Sequence, residues 1–407
     1  MSICIPELSP RAEALLKEAY SFLQDDVLPA EAEHDRWCNG RGPDDRSVPP
    51  VLPTLRDTAR KRGLWNLFLP AVSGLTQREY APIAELSGWS NDLAPAAMNC
   101  QAPDTGNMEL LHLVGTAAQQ KKWLEPLLEA QIRSAFAMTE PDVASSDATN
   151  IATRIEPDGD GYRITGRKWW TSGALDPECE LLILLGVSDP EGPPHRRHTM
   201  VLVPRNAPGI QIVQDLTVLG QHDRIGHAEI RFDGVRVEAD AVLGEPGGGF
   251  AAAQARLGPG RIHHCMRALG AAERALAMLV ARARSRVAFG KPLAEQGLLR
   301  AEIARARIDI EGARMLCLRA AHVIDTEGNR AARHLVAMTK VEVPRVAVEV
   351  IDRAIQVHGG AGVSNTTPLA RMYAWHRAMR LFDGPDEVHL ETLARAELDR
   401  DPALRLP

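Results

Sequence analysis

Phe136-Ala137-Met138-Thr139-Glu140-Pro141-Asp142-Val143-Ala144-Ser145-Ser146-Asp147 is where this chain changes character. Upstream the pattern is helical. Ser9-Pro10 sets a cap residue before a proline at a first helical position, and Arg11 to Leu23 follows with mixed faces. Glu109 to Leu128 carries Leu110, Leu111, Val114 and Ala118 at helical spacing. Downstream, to about Leu243, the segments are short, β-rich and separated by turn residues. The turn Asp158-Gly159-Asp160-Gly161 leads into the strand Tyr162 to Thr165. Leu181 to Val187 is a continuous apolar run, Thr199 to Val203 and Ile210 to Val213 are further short strands, and Glu229-Ile230-Arg231-Phe232 alternates.

Gly247-Gly248-Gly249 then opens a second helical region. Ile303, Ala306, Ile310, Ala313, Cys317, Ala320 and Ile324 recur in steps of three and four, a narrow seam for packing helix on helix. Leu335 to His358 predicts another long helix that Gly359-Gly360 stops, and Pro344 within it should start or kink a helix. The order helices, strands, helices is not that of a doubly wound nucleotide fold. No G-x-G-x-x-G follows a strand and no P-loop occurs, so neither NAD nor a nucleoside triphosphate is indicated.

Composition narrows the class. At roughly 150 residues per domain, 407 residues suggest two or three domains. Hydrophobic residues at 45% and charged residues at 25% fit a globular protein. Lys+Arg number 47 and Asp+Glu 53, giving −6, which offers no footprint for nucleic acid or an anionic membrane. No apolar run approaches the roughly 20 residues of a membrane span, and Met1 to Asp26 has no secretory pattern. Six cysteines lie scattered without disulfide or metal spacing. A soluble cytoplasmic protein is the expectation.

Two further segments carry chemistry besides the opening stretch, which is small, polar and rich in backbone donors. Lys168-Trp169-Trp170-Thr171-Ser172-Gly173 ends a strand, where adjacent tryptophans point to opposite faces and one can cover a ring. Leu381-Phe382-Asp383-Gly384-Pro385-Asp386-Glu387-Val388-His389 reads as a turn and helix start, with acids in the first turn. Each alone also reads as ordinary structure: a surface turn, core aromatics, a cap. His263-His264-Cys265 holds metal-ligating residue types, but adjacent helical histidines point about 100° apart and no ligand cluster follows, so no metal is assigned.

Taken together, the segments resemble the acyl-CoA dehydrogenase family of flavoproteins over nearly the whole chain. Thr139 to Asp147 matches its Thr-Glu-Pro signature, and Lys168 to Gly173 its flavin-facing strand. Arg286-Val287-Ala288-Phe289-Gly290-Lys291 matches Arg-x-x-Phe-Gly, and Gln356-Val357-His358-Gly359-Gly360-Ala361-Gly362 matches Gln-x-x-Gly-Gly-x-Gly. Phe382-Asp383-Gly384 stands where the family has Tyr-Glu-Gly. The resemblance is greatest to the animal members numbered ten and eleven, which share Thr-Glu-Pro-Asp-Val-Ala-Ser-Ser-Asp and Asp-Gly-Pro-Asp-Glu-Val-His.

The resemblance implies a mainly α, α+β fold: an N-terminal helical domain (1–133), a middle β-barrel or sheet domain (134–244), a C-terminal four-helix bundle (245–400) and a tail (401–407). It implies FAD as cofactor, with backbone groups around Phe136, Met138 and Thr139 at the pyrimidine side, Trp170 over one flavin face and the Ser172 hydroxyl at N5. Arg286, Phe289, Gln296, Gln356 and Gly360 would bind the pyrophosphate and adenosine, partly across a subunit boundary, and Pro385 and Glu387 would also meet FAD. Ser146, Arg261 and Gly384 would lie along the acyl-CoA, and Asp383 would be the base. The reaction implied is α,β-dehydrogenation of an acyl-CoA, with electrons passing to an electron-transfer flavoprotein in a homotetramer. A narrower expectation is a substrate bearing a 4-hydroxyl or 4-phosphate group. The rival readings are a flavin oxidase of nitroalkane-oxidase type with the same Asp base, and a non-catalytic flavin- or nucleic-acid-binding relative.

The sequence departs from the majority pattern in three places. Asp383 replaces Glu and is one methylene shorter, while Leu257-Gly258-Pro259-Gly260-Arg261, where some relatives place the base, holds no carboxylate. One extra residue between Pro141 and Asp147 leaves Ser145 and Ser146 as alternatives, and Ser172 stands where many relatives have Thr.

Overall fold

The computed structural model describes residues 7–42 and 44–400; the expected tail, 401–407, lies outside them. The chain forms two compact units. One takes in the stretches up to Gly40, Pro50–Met98 and from Arg261 onward; the other is Arg41–Pro49 with Asn99–Gly260.

The first unit is helical. Helix Pro10–Phe22 begins at Ser9, whose hydroxyl accepts from the Ala12 N–H at 3.3 Å, as the Ser-Pro pair predicts. Helix Gln77–Ser87 starts with a complete Thr76/Glu79 capping box. The unit's longest helices are Gly297–Glu327 and Asn329–His358, with the part of helix Gly249–Ser285 from Arg261 onward, followed by Leu369–Met379 and Asp386–Leu398. Ala306, Ile310, Ala313, Cys317 and Ala320 are buried along Gly297–Glu327, so the three-and-four seam is a packing seam. Asn329–His358 continues through buried Pro344, where the sequence suggests a start or kink, and ends at Gly359 with φ +62. Two glycines set a helix contact that no other residue would permit. A Cβ on Gly270 would stand 1.8 Å from the Glu85 carbonyl oxygen, and one on Gly88 1.9 Å from that of Arg267.

The second unit is built on one seven-stranded sheet. Its strands are β1 (Arg133–Ala137), β2 (Arg154–Asp158), β3 (Gly161–Ser172), β4 (Cys179–Val187), β5 (His198–Pro204), β6 (Ile210–Asp215) and β7 (His227–Glu238). The order is β1-β4-β2-β3-β7-β6, with β5 also on β4. β1 runs parallel to β4, and β2 meets β4 in parallel at the single pair Arg154↔Val187, while the remaining pairs are antiparallel. Ile155, Ile164, Leu184, Val201, Ile230 and Phe232 belong to the buried cluster under the sheet.

One expected element divides. Glu109 to Leu128 is not a single helix: Asp104–Val114 ends at Gly115 (φ −73, ψ 140), and Thr116 starts afresh with a capping box to Gln119. The apolar spacing runs on across a break that local capping chemistry dictates.

Candidate active site

In the second unit, the opening stretch is fixed to β3 by a buried ion pair. Lys168 is wholly buried and its Nζ donates to Glu140 Oε1 and to the Met138 carbonyl, both at 2.8 Å. Glu140 also accepts from the Ala152 and Thr153 N–H groups at 2.8 Å, and the Trp169 N–H donates to the Thr139 carbonyl at 2.9 Å. Burial pushes Lys168 down to about 8 against the opposing pull of Glu140. Burial alone would raise Glu140, but Lys168 and the converging donors outweigh it and hold the carboxyl below its ordinary value. Met138 and Thr139 are therefore held by β3 itself. Between the two candidate serines, Ser145 Oγ accepts from the Glu140 N–H at 2.8 Å, whereas Ser146 is exposed.

The Trp169-Trp170 pair is not a simple alternation. The β3–β7 register shifts between Lys168 and Thr171, and Trp170 sits in that bulge at φ +51 with 39% of its surface exposed. Its indole is backed by Trp169 (ring centroids 6.4 Å) and His227 (5.6 Å). A bulky residue held at positive φ with its ring in solvent is costly unless something flat covers it. Beside it, Ser172 Oγ lies 2.8 Å from His227 Nδ1. Phe136 is half-buried on β1, beneath the Arg256 guanidinium at 3.9 Å. This combination of an exposed indole, a hydroxyl at the strand end and a fixed loop backbone fits an isoalloxazine ring.

In the first unit, the turn at Asp383 is a second strained point. Asp383 has φ +56 and Gly384 φ +97, and a Cβ on Gly384 would meet His389 Nε2 at 2.9 Å. Donors from three helices hold this turn. Arg261 Nε donates to the Asp383 carbonyl at 2.8 Å, and His389 Nε2 donates to the same oxygen at 3.3 Å. Lys340, wholly buried, donates to the Met379 carbonyl at 2.5 Å and lies 3.5 Å from the Gly384 carbonyl. Burial, with the charges of Arg261 and Lys340, pushes His389 down to about 4, so the ring that donates is neutral. The Asp383 carboxyl itself is partly exposed, with Oδ2 3.7 Å from His264 Nε2.

Sequence reading did not single out Lys340, His264 or His389 for this cluster, because they come from separate helices. The available signal was Arg261, His264 and Arg267 in steps of three, one helix face. The neighbouring His263 faces elsewhere: it is buried, its Nε2 is 2.6 Å from Gln77 Oε1, and burial pushes it down to about 3. Among the described residues no three metal-ligating side chains cluster.

The other expected cofactor residues in this unit stand at the surface. Phe289 and Gly290 have φ +52 and +81 in the turn of a two-strand hairpin, and the Phe289 ring is fully exposed beside exposed Arg286. Gln296 precedes helix Gly297–Glu327, while Gln356 and Gly360 are exposed around the end of Asn329–His358. Pro385 is the residue before helix Asp386–Leu398, and Glu387 is exposed in its first turn.

Comparison with known proteins identifies the family. Residues 247–398 match the acyl-CoA dehydrogenase C-terminal domain, and residues 135–235 match the acyl-CoA dehydrogenase middle domain. The probable acyl-CoA dehydrogenase FadE2 of Mycobacterium tuberculosis is 61% identical over 93% of each chain. Acyl-CoA dehydrogenase family member 11 of Gallus gallus is 52% identical over 96% of this chain, which spans 51% of that longer protein. Among solved structures, a putative acyl-CoA dehydrogenase from Mycobacterium abscessus superposes with a TM-score of 0.93 at 48% identity, covering 97% of this chain and 99% of that one. Butyryl-CoA dehydrogenase from Megasphaera elsdenii gives 0.80 at 26% identity, with 97% and 99% covered. With both domain types matched in order and a relative at this identity over nearly all of the chain, the protein belongs to the acyl-CoA dehydrogenase family of FAD-dependent oxidoreductases.

Proposed function

We propose that this protein oxidises an acyl-CoA thioester between its α and β carbons, with Asp383 as the base. The observation that carries the reading is the turn at Asp383: a carboxylate on a backbone held at positive φ by Arg261, Lys340 and His389. A residue in such a conformation persists only when its surroundings over-determine it, which is how a reacting group is kept in place.

Bound FAD supplies the acceptor for the hydride that leaves the β carbon. Asp383 takes the proton from the carbon beside the thioester carbonyl, and its side chain carries that proton until product leaves. The Asp383 backbone N–H stabilises the charge that develops on the thioester oxygen. Trp170 covers one face of the cofactor. Ser172 Oγ, 2.8 Å from His227 Nδ1, would present its hydroxyl to flavin N5. Phe136, Met138 and Thr139 serve the pyrimidine edge. Arg286, Phe289, Gln296, Gln356, Gly360, Pro385 and Glu387 hold the remainder of FAD, and Ser146, Arg261 and Gly384 lie along the acyl-CoA.

Three finer readings accompany this one. The substrate carries a 4-hydroxyl or 4-phosphate group, electrons pass to an electron-transfer flavoprotein, and the enzyme is a homotetramer. Among the described residues Cys179, Cys265 and Cys317 are buried free thiols, which suits a reducing compartment such as the cytoplasm, and no helix among the described residues is long and apolar enough to cross a membrane.

The test is anaerobic titration of the yellow protein with a panel of acyl-CoAs, following flavin absorbance. Wild type should bleach with a subset, and Asp383→Asn should stay yellow and unbleached. Turnover retained in that variant removes Asp383 from the role. Oxygen uptake with nitroalkanes and no bleaching by any acyl-CoA would favour the oxidase reading instead.

A further inference from the structure

We propose that His264 is a positioning residue for Asp383, its Nε2–H steering the carboxylate while Arg267 fixes the tautomer. The inference rests on the reading of Asp383 as base. Arg267 NH2 lies 3.2 Å from His264 Nδ1. A guanidinium has five donors and no acceptor, so at that contact Nδ1 must be the acceptor and cannot carry the ring proton. The proton is left on Nε2, the atom 3.7 Å from Asp383 Oδ2. The ring's tilt is set independently by Phe382, at 5.1 Å and 61°, and Phe382 is in turn backed by Trp375 at 5.6 Å.

The other charged groups of the cluster hydrogen-bond to the backbone of the turn, and the charges of Arg261 and Lys340 act on the carboxylate from there. Arg261 and His389 reach the Asp383 carbonyl oxygen and not its carboxylate. Lys340 is spent on the Met379 and Gly384 carbonyls, and Asp386 is paired with Arg380 at 2.7 Å. Those contacts fix the backbone of the turn, while His264 Nε2 faces the side chain. At 3.7 Å the contact is longer than a hydrogen bond. It therefore orients the carboxylate by electrostatics without consuming an acceptor lone pair that the reaction needs. An Asp side chain has only two torsions, so one oriented donor suffices to select its rotamer. Histidine serves here as an uncharged donor and not as the base, because the nitrogen facing Asp383 already holds its proton.

Three variants separate the possibilities. His264→Phe keeps a ring against Phe382 and removes the donor, whereas His264→Gln can place an amide N–H near the position of Nε2. In folded, flavin-replete enzyme, His264→Phe should lower kcat about tenfold with KM within about twofold, the loss of one oriented dipole beside the carboxylate. The acidic limb of its kcat/KM profile should move to higher pH by about one unit. His264→Gln should recover kcat to within about threefold of wild type. A readout free of turnover is the ¹⁵N spectrum of histidine-labelled protein. One ring, identified by its absence from His264→Phe, should show a bare Nδ1 and a protonated Nε2, and its Nε2 signal should move in Asp383→Asn. An unchanged acidic limb and kcat in His264→Phe, or a ring proton on Nδ1, overturns the proposal. Turnover lost in His264→Phe but kept in Asp383→Asn also overturns it and makes His264 the base. Turnover kept in both, with the expected tautomer and coupling still seen, sinks the reading of Asp383 alone.

Discussion

Glu109 is the most consequential buried acid outside the turn at Asp383, and replacing it with Gln gives a test whose sign follows from the structure. Its side chain is 4% exposed in helix Asp104–Val114, and its Oε2 is buried with no hydrogen-bond partner. Burial pushes its carboxyl up from 4.5 to about 8, with the charge of Arg256 opposing. In the folded protein at pH 7 Glu109 is thus protonated, whereas in the unfolded chain it is ionised. Between pH 4.5 and about 8 the folded state binds the extra proton, so stability is full below that window and falls as pH rises through it. At about 1.4 kcal/mol for each pH unit, the loss between pH 5 and 7.5 is about 3 kcal/mol. Gln has nearly the same shape and no charge to gain. Urea unfolding of wild type and Glu109→Gln should therefore give similar stabilities at pH 5 and a gap that widens to about 3 kcal/mol in favour of the variant by pH 7.5. Parallel pH dependences, or a variant less stable at pH 7.5, would show that the carboxylate is ionised and satisfied in the fold, refuting the reasoning.

Other perturbations follow from named contacts. Gly384→Ala forces a Cβ to 2.9 Å from His389 Nε2 at φ +97, which should cost about 1–3 kcal/mol and show as a lower Tm together with weaker acyl-CoA bleaching. His263, pushed down to about 3, stays neutral in the fold while the unfolded chain takes up a proton below its ordinary 6.5. Acidification from pH 6.5 to 4.5 should thus remove about 2 kcal/mol in wild type, and His263→Gln should flatten that slope in thermal melts across the interval. Arg286→Ala should lower flavin retention, read as a fall in the ratio of 450 nm to 280 nm absorbance after gel filtration.

Much of this molecule is written locally. Ser9-Pro10, the alanine seam of Gly297–Glu327, the stop at Gly359 and the alternating strands follow from caps, periodicity and glycine, interactions that act within a few residues. The candidate residues Asp383, Arg261, Trp170 and Ser172 were likewise legible, because a signature of several short motifs in order is itself a sequence property. The division of Glu109 to Leu128 at Gly115 was not, since the capping box at Thr116 competes with an apolar pattern that carries straight across it.

What only tertiary structure decided is the environment of each acid. Three helices bring Arg261, Lys340 and His389 to the turn at Asp383, from positions 261, 340 and 389. His264 looked like half of a failed metal pair until Arg267 on one side and Asp383 on the other gave its two nitrogens different tasks. Glu109 read as an ordinary helix residue until burial left one of its oxygens without a partner. The sequence fixes which groups exist and which local elements carry them. Their protonation, and what each one faces, depend on desolvation and on charges more than a hundred residues away, which become neighbours only when the helices pack.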